Sequence, residues 1–594
     1  MSAAPPDGSA DAARFRIPVL IGVAGHRDLV AAEVPAIRDA VEQLLRQVRA
    51  AQPDVRLQLL SSMAEGADLL VAEVAIDIGI DVIALLPFPL ARCRADIADE
   101  AARGRFDRVL ARAERLELAV AADAEPATAP PDVDQLRDRQ FQRAGALVAR
   151  YSALLIAIWD GRETEHAAGT ARVVDYRRRN LAAAAASEDL LLAAGDNDLT
   201  YEIRCSRRSP VAAGAAGDGV QVLGFTSGER RLGDASAGLP APFATLLRRT
   251  AEFNGDVDAY AARIARHGRR LAPPTPYVTP ASLRYVDELF TAADWLGVHF
   301  RHCFTRALRV RYLLWALLAF LLLAYKKQPA STLALASIGG VLVLFVFGWL
   351  LALWAHRRRW HHRYLDYRAL AEGLRVDFYW ELAGVRTLSA GEFAHESFLQ
   401  KQDYELEWIR AAMRTVSLRC ALSPPVSWPH GFAHTFAAWV GEADPVNGSG
   451  QLQYYRARAR SLERRQRAAE HIAHALLFAG LGCGVLLAFD AAAALAQRAP
   501  LAPAVQGALL WALALLTVYG AIFEIYLGEK ADPALIRQYR YMDALFGVAA
   551  RELRAAHSGH EQLAILRSLG HACLAEHAQW ILAHRDKRIE GLRW

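Results

Sequence analysis

Residues 17–28 read IPVLIGVAGHRD: an apolar run from Ile17 to Val23 that ends in a glycine, a histidine, an arginine and an aspartate. A short, continuous apolar run bounded by turn residues is the signature of a strand buried on both faces. The pattern recurs down the chain. Leu57–Leu60 leads into SSMAEGAD (residues 61–68), Val82–Leu86 into Pro87 and Pro89, and Tyr151–Trp159 into Asp160-Gly161. Helical segments separate these runs, over Val34–Ala50 and from about Glu65 to Ile78. Buried strands alternating with helices predict a Rossmann-like, doubly wound parallel sheet, in which ligands bind beyond the carboxyl ends of the strands.

Those ends carry a consistent set of residues. Gly25, His26 and Arg27 follow the first strand; Ser61, Ser62, Glu65, Gly66 and Asp68 follow the second; Asp160, Gly169 and Thr170 follow a later one. Glycines and small hydroxyl residues at helix starts expose backbone N–H groups to an anion, where the helix dipole adds about 0.3–1 kcal/mol. These three ends, with the Pro87 and Pro89 turn after the third strand as a fourth, would on converging cradle a phosphate or nucleotide, although glycine at a strand–helix turn also serves purely steric needs. Arg27 and His26 either contact a phosphate or hold the turn by pairing with Asp28 or Glu65. Asp68 and Glu65 either bind a ribose hydroxyl or, for Glu65, favour the first turn of a helix. The cofactor reading is therefore a nucleotide-type ligand, with no obligatory cofactor, no metal and no assigned catalytic residue.

The chain has 594 residues, 53 % apolar and 22 % charged, with 69 Lys+Arg against 64 Asp+Glu. That composition excludes a disordered chain, and +5 over such a length gives no reason to expect a nucleic-acid partner. The mean hydropathy is nevertheless positive, +0.10, so some segments are far more apolar than the average. They are Tyr312–Tyr325, Ser331–Ala355, Ala475–Phe489 (continuing Ala-rich to Leu495) and Pro503–Leu527. At 1.5 Å per residue the second and fourth reach about 35 Å, enough for a hydrocarbon core near 30 Å. The first and third, at about 21–23 Å, need flanking turns or snorkelling Arg and Lys. Arginines crowd the outer flanks of each hairpin (Arg301, Arg306, Arg309 and Arg311; Arg357, Arg358 and Arg359; Arg456 to Arg467; Arg537 and Arg540). The tips carry only Lys326, Lys327 and Arg498. The positive-inside rule then puts both termini in the cytoplasm of a multi-pass inner-membrane protein, with a lipid bilayer as partner. Trp354, Trp360 and Tyr364 sit where an interfacial belt would lie. The polar N-terminus, MSAAPPDGSADAARFR, has no signal-peptide pattern, and six scattered cysteines without a C-x-x-C pair fit a reducing compartment.

The two hairpins echo one another: each follows an Arg-rich stretch and precedes a helical segment, with Tyr367-Arg368 and Tyr539-Arg540 at matching distances from the spans. A duplicated helix–hairpin–helix unit gives four spans per chain, so a pore would require a homo-oligomer. Within the fourth span lies Glu524, which either serves a function inside the membrane or snorkels to the headgroups. Adjacent His361 and His362 point apart on a helix and make a poor metal site.

Together, GVAGHRDL (22–29), SSMAEGADLLVAE (61–73), LLPFPL (85–90), FQRAGALVARYSALLIAIWDG (141–161) and GTARVV (169–174) resemble the SLOG family, Rossmann-like domains related to the DprA/Smf and LOG proteins. The resemblance covers about residues 15–210 and implies a strand near Tyr201–Cys205 ending in Arg207-Arg208. In LOG-type enzymes a P-G-G-x-G-T-x-x-E motif supplies phosphate contacts and a catalytic glutamate. Here the segment is AAGTARVV (167–174), with Val173 at the glutamate position, which argues against phosphoribohydrolase activity. Arg92-Cys93 stands where many of these proteins have a tyrosine. In the C-terminal half, YLDYRALAEGLRVDFYW (364–380) and HACLAEHAQWILAHRDKR (571–588) resemble SLATT proteins, two-helix membrane modules of bacterial conflict systems. The pairing implies a sensor of a nucleotide-derived signal joined to an effector that permeabilises the membrane, as in antiphage defence. The alternative is a membrane-anchored enzyme hydrolysing a nucleotide or N-glycosidic bond, with Glu65, Asp68 and Asp160 as its acid–base candidates. The expected organisation is a tail (1–14), the nucleotide-binding domain (15–250), a helical linker (251–302), a first membrane unit (303–390), a linker (391–450) and a second membrane unit (451–594).

Overall fold

The structure, a computed structural model, describes residues 14–118, 133–162, 169–179, 199–208, 220–226, 238–272, 280–326, 332–387, 398, 404–422, 430–442, 449–496, 499–530 and 532–585. Most of the expected N-terminal tail, Ala167-Ala168, the tip residues Lys327 and Arg498, much of the 391–450 linker and the last nine residues lie outside this description. Two compact units emerge, drawn from Met1–Leu296, Asp366–Ala433 and Ser558–Trp594 in one case, and from Gly297–Leu365 and His434–His557 in the other.

The first unit is built on a seven-stranded sheet: β1 (Val19–Gly25), β2 (Leu57–Ser61), β3 (Asp81–Leu86), β4 (Glu114–Glu117), β5 (Leu154–Trp159), β6 (Leu199–Arg204) and β7 (Gln221–Thr226). The strand order is β4-β3-β2-β1-β5-β6-β7, parallel throughout except for antiparallel β7. The chain builds outward from β1 to β4, then returns to place β5 on the other side of β1, so the order reverses between β1 and β5. That reversal is the topological switch point, where open parallel sheets leave a crevice for ligands. Strands β4 and β7 form the two edges. β4 reads ERLE and is largely solvent-facing, as suits an edge protected by charge.

Helices α1 (Val34–Ala51), α2 (Ala67–Asp77), α3 (Leu90–Ala95), α4 (Glu100–Leu110), α5 (Val133–Tyr151) and α6 (Thr170–Arg179) link the strands. On α1, Ile37, Val41, Leu44, Leu45 and Val48 fall at helical spacing and are all buried, which forms a single apolar face. A further helical layer joins the same unit. Asn254 of α7 (Ala241–His267) accepts the Ile17 N–H and donates to the Ile17 carbonyl, both at 2.9 Å, so its amide acts as a strand partner at the start of β1.

Helices α8 (Ala281–Lys326), α9 (Thr332–Arg357), α10 (Trp360–Ala383) and α11 (Glu407–Leu422) follow, then α12 (Gly450–Leu495), α13 (Pro503–Lys530), α14 (Asp532–Ala555) and α15 (Gly559–Arg585). In the sheet-containing unit, Tyr367 of α10 donates to Asp256 at 2.5 Å, and Trp380 donates to the Leu566 carbonyl of α15 at 3.1 Å. Gly570 sits so close to Trp380 that an added Cβ would lie 2.4 Å from the indole.

Among the described residues, four helices, α8, α9, α12 and α13, are long and apolar enough to cross a membrane. The two short apolar stretches prove to be parts of 46-residue helices, which supplies the missing length. Leu313, Leu335, Phe478 and Leu495 are 69 %, 73 %, 70 % and 87 % exposed, side chains that a hydrocarbon phase would cover. Within the second unit Tyr312 meets Tyr526 at 5.2 Å and Phe320 meets Trp511 at 6.4 Å, so α8 and α13 are neighbours.

The internal echo extends to register. Helices α8, α9 and α10 have 46, 26 and 24 residues; α12, α13 and α14 have 46, 28 and 24. Arg368, the ninth residue of α10, lies 3.7 Å from Asp294, the fourteenth of α8. Arg540, the ninth of α14, lies 2.6 Å from Glu463, the fourteenth of α12.

Candidate functional site

At the carboxyl end of β1 the chain turns under tight constraint. An added Cβ on Gly25 would fall 2.2 Å from the Ala67 Cβ, so only glycine lets β1 meet the start of α2. The His26 N–H donates to the Ile158 carbonyl at 2.9 Å, and the His26 carbonyl accepts the Ala67 N–H at 3.1 Å. Gly66 has φ of +92°, and a Cβ there would lie 2.5 Å from the Arg27 carbonyl. The turns after β1 and β2 are thus interlocked, and one of the free N–H groups at the start of α2 is already paired.

A second is taken up by the Ala64 carbonyl, which accepts the Leu69 N–H at 3.3 Å. Asp68 is buried, and its carboxylate accepts the Ser62 hydroxyl at 2.5 Å. Burial pushes its pKa up to about 6, against the Ser62 hydrogen bond and the charge of Arg27, which pull it down. Ser61 is fully buried; its hydroxyl accepts the Met63 N–H at 3.1 Å and shapes the turn from within. The sequence-derived anion cradle at α2 is therefore largely filled by the protein's own groups.

Across the switch point, His26 and Asp160 meet. Nε2 of His26 accepts the Asp160 N–H at 3.0 Å and lies 3.2 Å from Asp160 Oδ1. Burial lowers the His26 pKa against the neighbouring carboxylate, which favours a neutral ring with its proton on Nδ1. Burial alone would raise the Asp160 pKa, but the Arg162 N–H at 3.1 Å and His26 bring it below the usual carboxylate range. Asp28 pairs with Arg207 at 3.0 Å, and its carbonyl accepts the Arg208 N–H at 2.9 Å, tying the β1 turn to the end of β6. Gly161, with φ of +80°, packs beneath the Arg204 guanidinium, which lies 5.0 Å from the Trp159 ring and donates to buried Glu202 at 2.7 Å.

Arg27 points the other way, toward the segment that follows α3. Its Nη1 donates to Asp96 Oδ2 at 3.2 Å, and its guanidinium lies 4.3 Å from the Phe141 ring centre. Arg137 of α5 reaches the same carboxylate, Nη2 donating to Oδ2 at 3.0 Å and Nε lying 2.9 Å from Oδ1. Glu65 accepts the Ala98 N–H at 3.3 Å. Gly169, exposed with φ of +150°, and buried Thr170 start α6. Residues 163–168, which join them to Asp160, lie outside the described residues.

The sequence reading missed Asp96, Arg137 and Phe141. The usable signal was the amphipathic α5 segment preceding β5, whose Arg137 and Phe141 lie four residues apart on one helix face. Among the described residues, no group of three or more His, Cys, Asp or Glu side chains is arranged to hold a metal ion. All six cysteines are free thiols, and Glu524 is exposed on α13. Comparison of the chain with protein-family models and with curated proteins finds no match.

Proposed function

We propose that the protein is a membrane-anchored sensor: a nucleotide-type ligand binds at the carboxyl edge of the sheet and gates the four apolar helices as an oligomeric effector or pore. The observation that carries the reading is the meeting of His26 with Asp160 at the switch point of a parallel sheet, in a chain that also has four helices able to cross a bilayer. The residues proposed to face the ligand are Gly25, His26, Arg27, Ser62, Glu65, Gly66, Asp160, Gly169 and Thr170. The SLOG and SLATT resemblances favour a role in bacterial conflict, and the arginine flanks favour cytoplasmic termini in the inner membrane. Gating requires the ligand to bind the open arrangement more tightly than the closed one. Full-length protein in detergent should gain thermal stability with nucleotides, and Arg27→Gln should lose most of that gain while staying membrane-inserted. An equal gain in the variant would remove Arg27 from the site.

The second reading, an anchored hydrolase, draws on Asp68, a buried carboxyl whose pKa burial raises to about 6, so that it keeps its proton to a higher pH than an exposed carboxyl does. Turnover of a nucleotide by the full-length protein, lost in Asp68→Asn, would favour it over sensing.

A further inference from the structure

Two arginines converge on one carboxylate beside the β1 turn. Asp96 Oδ2 accepts from both Arg27 and Arg137, at 3.2 and 3.0 Å. Both guanidiniums lie against the Phe141 ring, at 4.3 and 5.9 Å from its centre, and Phe141 packs edge-on against Phe88 at 6.1 Å. The aromatic pair thus fixes where the two cations sit. Asp96 stands between the two guanidiniums, the buried Asp68 carboxyl also acts on Arg27, and two forked guanidiniums match a phosphate better than a single carboxylate. The Asp96 and Arg27 side chains are 26 % and 38 % exposed, so water and solutes reach the group, and an ion pair so exposed is easily exchanged. Asp96 caps the end of the six-residue helix α3, a short element that can yield when its anchor is released.

Resting on the sensor reading above, we propose that Arg27, Arg137 and Phe141 form a subsite for the phosphate end of a nucleoside polyphosphate, and that Asp96 occupies it as an internal stand-in until the ligand displaces it. Binding then frees the segment after α3, a local change that only a phosphate-bearing ligand produces.

The test measures affinities of the full-length protein in detergent for the four ribonucleoside triphosphates, inorganic pyrophosphate and the uncharged nucleosides. Asp96→Asn and Asp96→Ala remove the competing charge and should tighten triphosphate and pyrophosphate binding at least five-fold without changing nucleoside binding. Arg137→Gln should weaken the same phosphates at least ten-fold. Wild-type-like or weaker phosphate binding in both Asp96 variants would overturn the stand-in while leaving the sensor reading intact. No binding of any phosphate probe by wild type or variants would overturn both.

Discussion

Asp68 shows how a single side chain changes meaning between sequence and structure. Among small and polar residues at a helix start it read as a ribose ligand, yet it is buried and held by Ser62. The β1–α2 approach that buries it depends on Gly25 and Gly66, which the sequence shows, and on distances that it does not. Because burial raises the folded-state pKa to about 6, the folded protein holds this proton more tightly than the unfolded chain does. Stability therefore falls as pH rises from about 4 to about 6 and stays at its lower level above that. Asp68→Asn removes this slope, so the melting-temperature difference between variant and wild type should open across that window. At ~1.4 kcal/mol per unit the gap is bounded at about 3 kcal/mol. A difference constant from pH 4 to pH 8 would contradict the assignment. Arg27 was legible in the sequence as a candidate residue, but its partner was not: Asp96 is 69 positions away, and only the fold brings them together.

At the scale of elements, apolar strands and spans were readable because burial on both faces and contact with hydrocarbon each demand continuous apolar runs. Strands β4 and β7 were not, since edge strands need no such run and ERLE carries none. The Tyr-Arg echo after each hairpin pointed to a repeat, and its meaning is a shared register: an arginine on the third helix facing an acid on the first. If that register orients the second copy, Arg540→Glu should lower the melting temperature by opposing Glu463 with a like charge. Adding Glu463→Arg should restore part of the loss. A double variant no more stable than either single one would show that the pair plays no part in orienting the helices.

The molecule as a whole joins a doubly wound sheet to four helices long and apolar enough to cross a bilayer. Two helices, α8 and α10, contribute residues to both compact units. Coupling would require the ligand to prefer one arrangement. The most direct measurement is dye leakage from liposomes carrying the full-length protein, with and without ribonucleoside triphosphates. The sensor account predicts leakage that depends on nucleotide, is lost in Arg27→Gln, and appears at lower nucleotide concentration in Asp96→Asn. Leakage independent of nucleotide, or none under any condition, would contradict it.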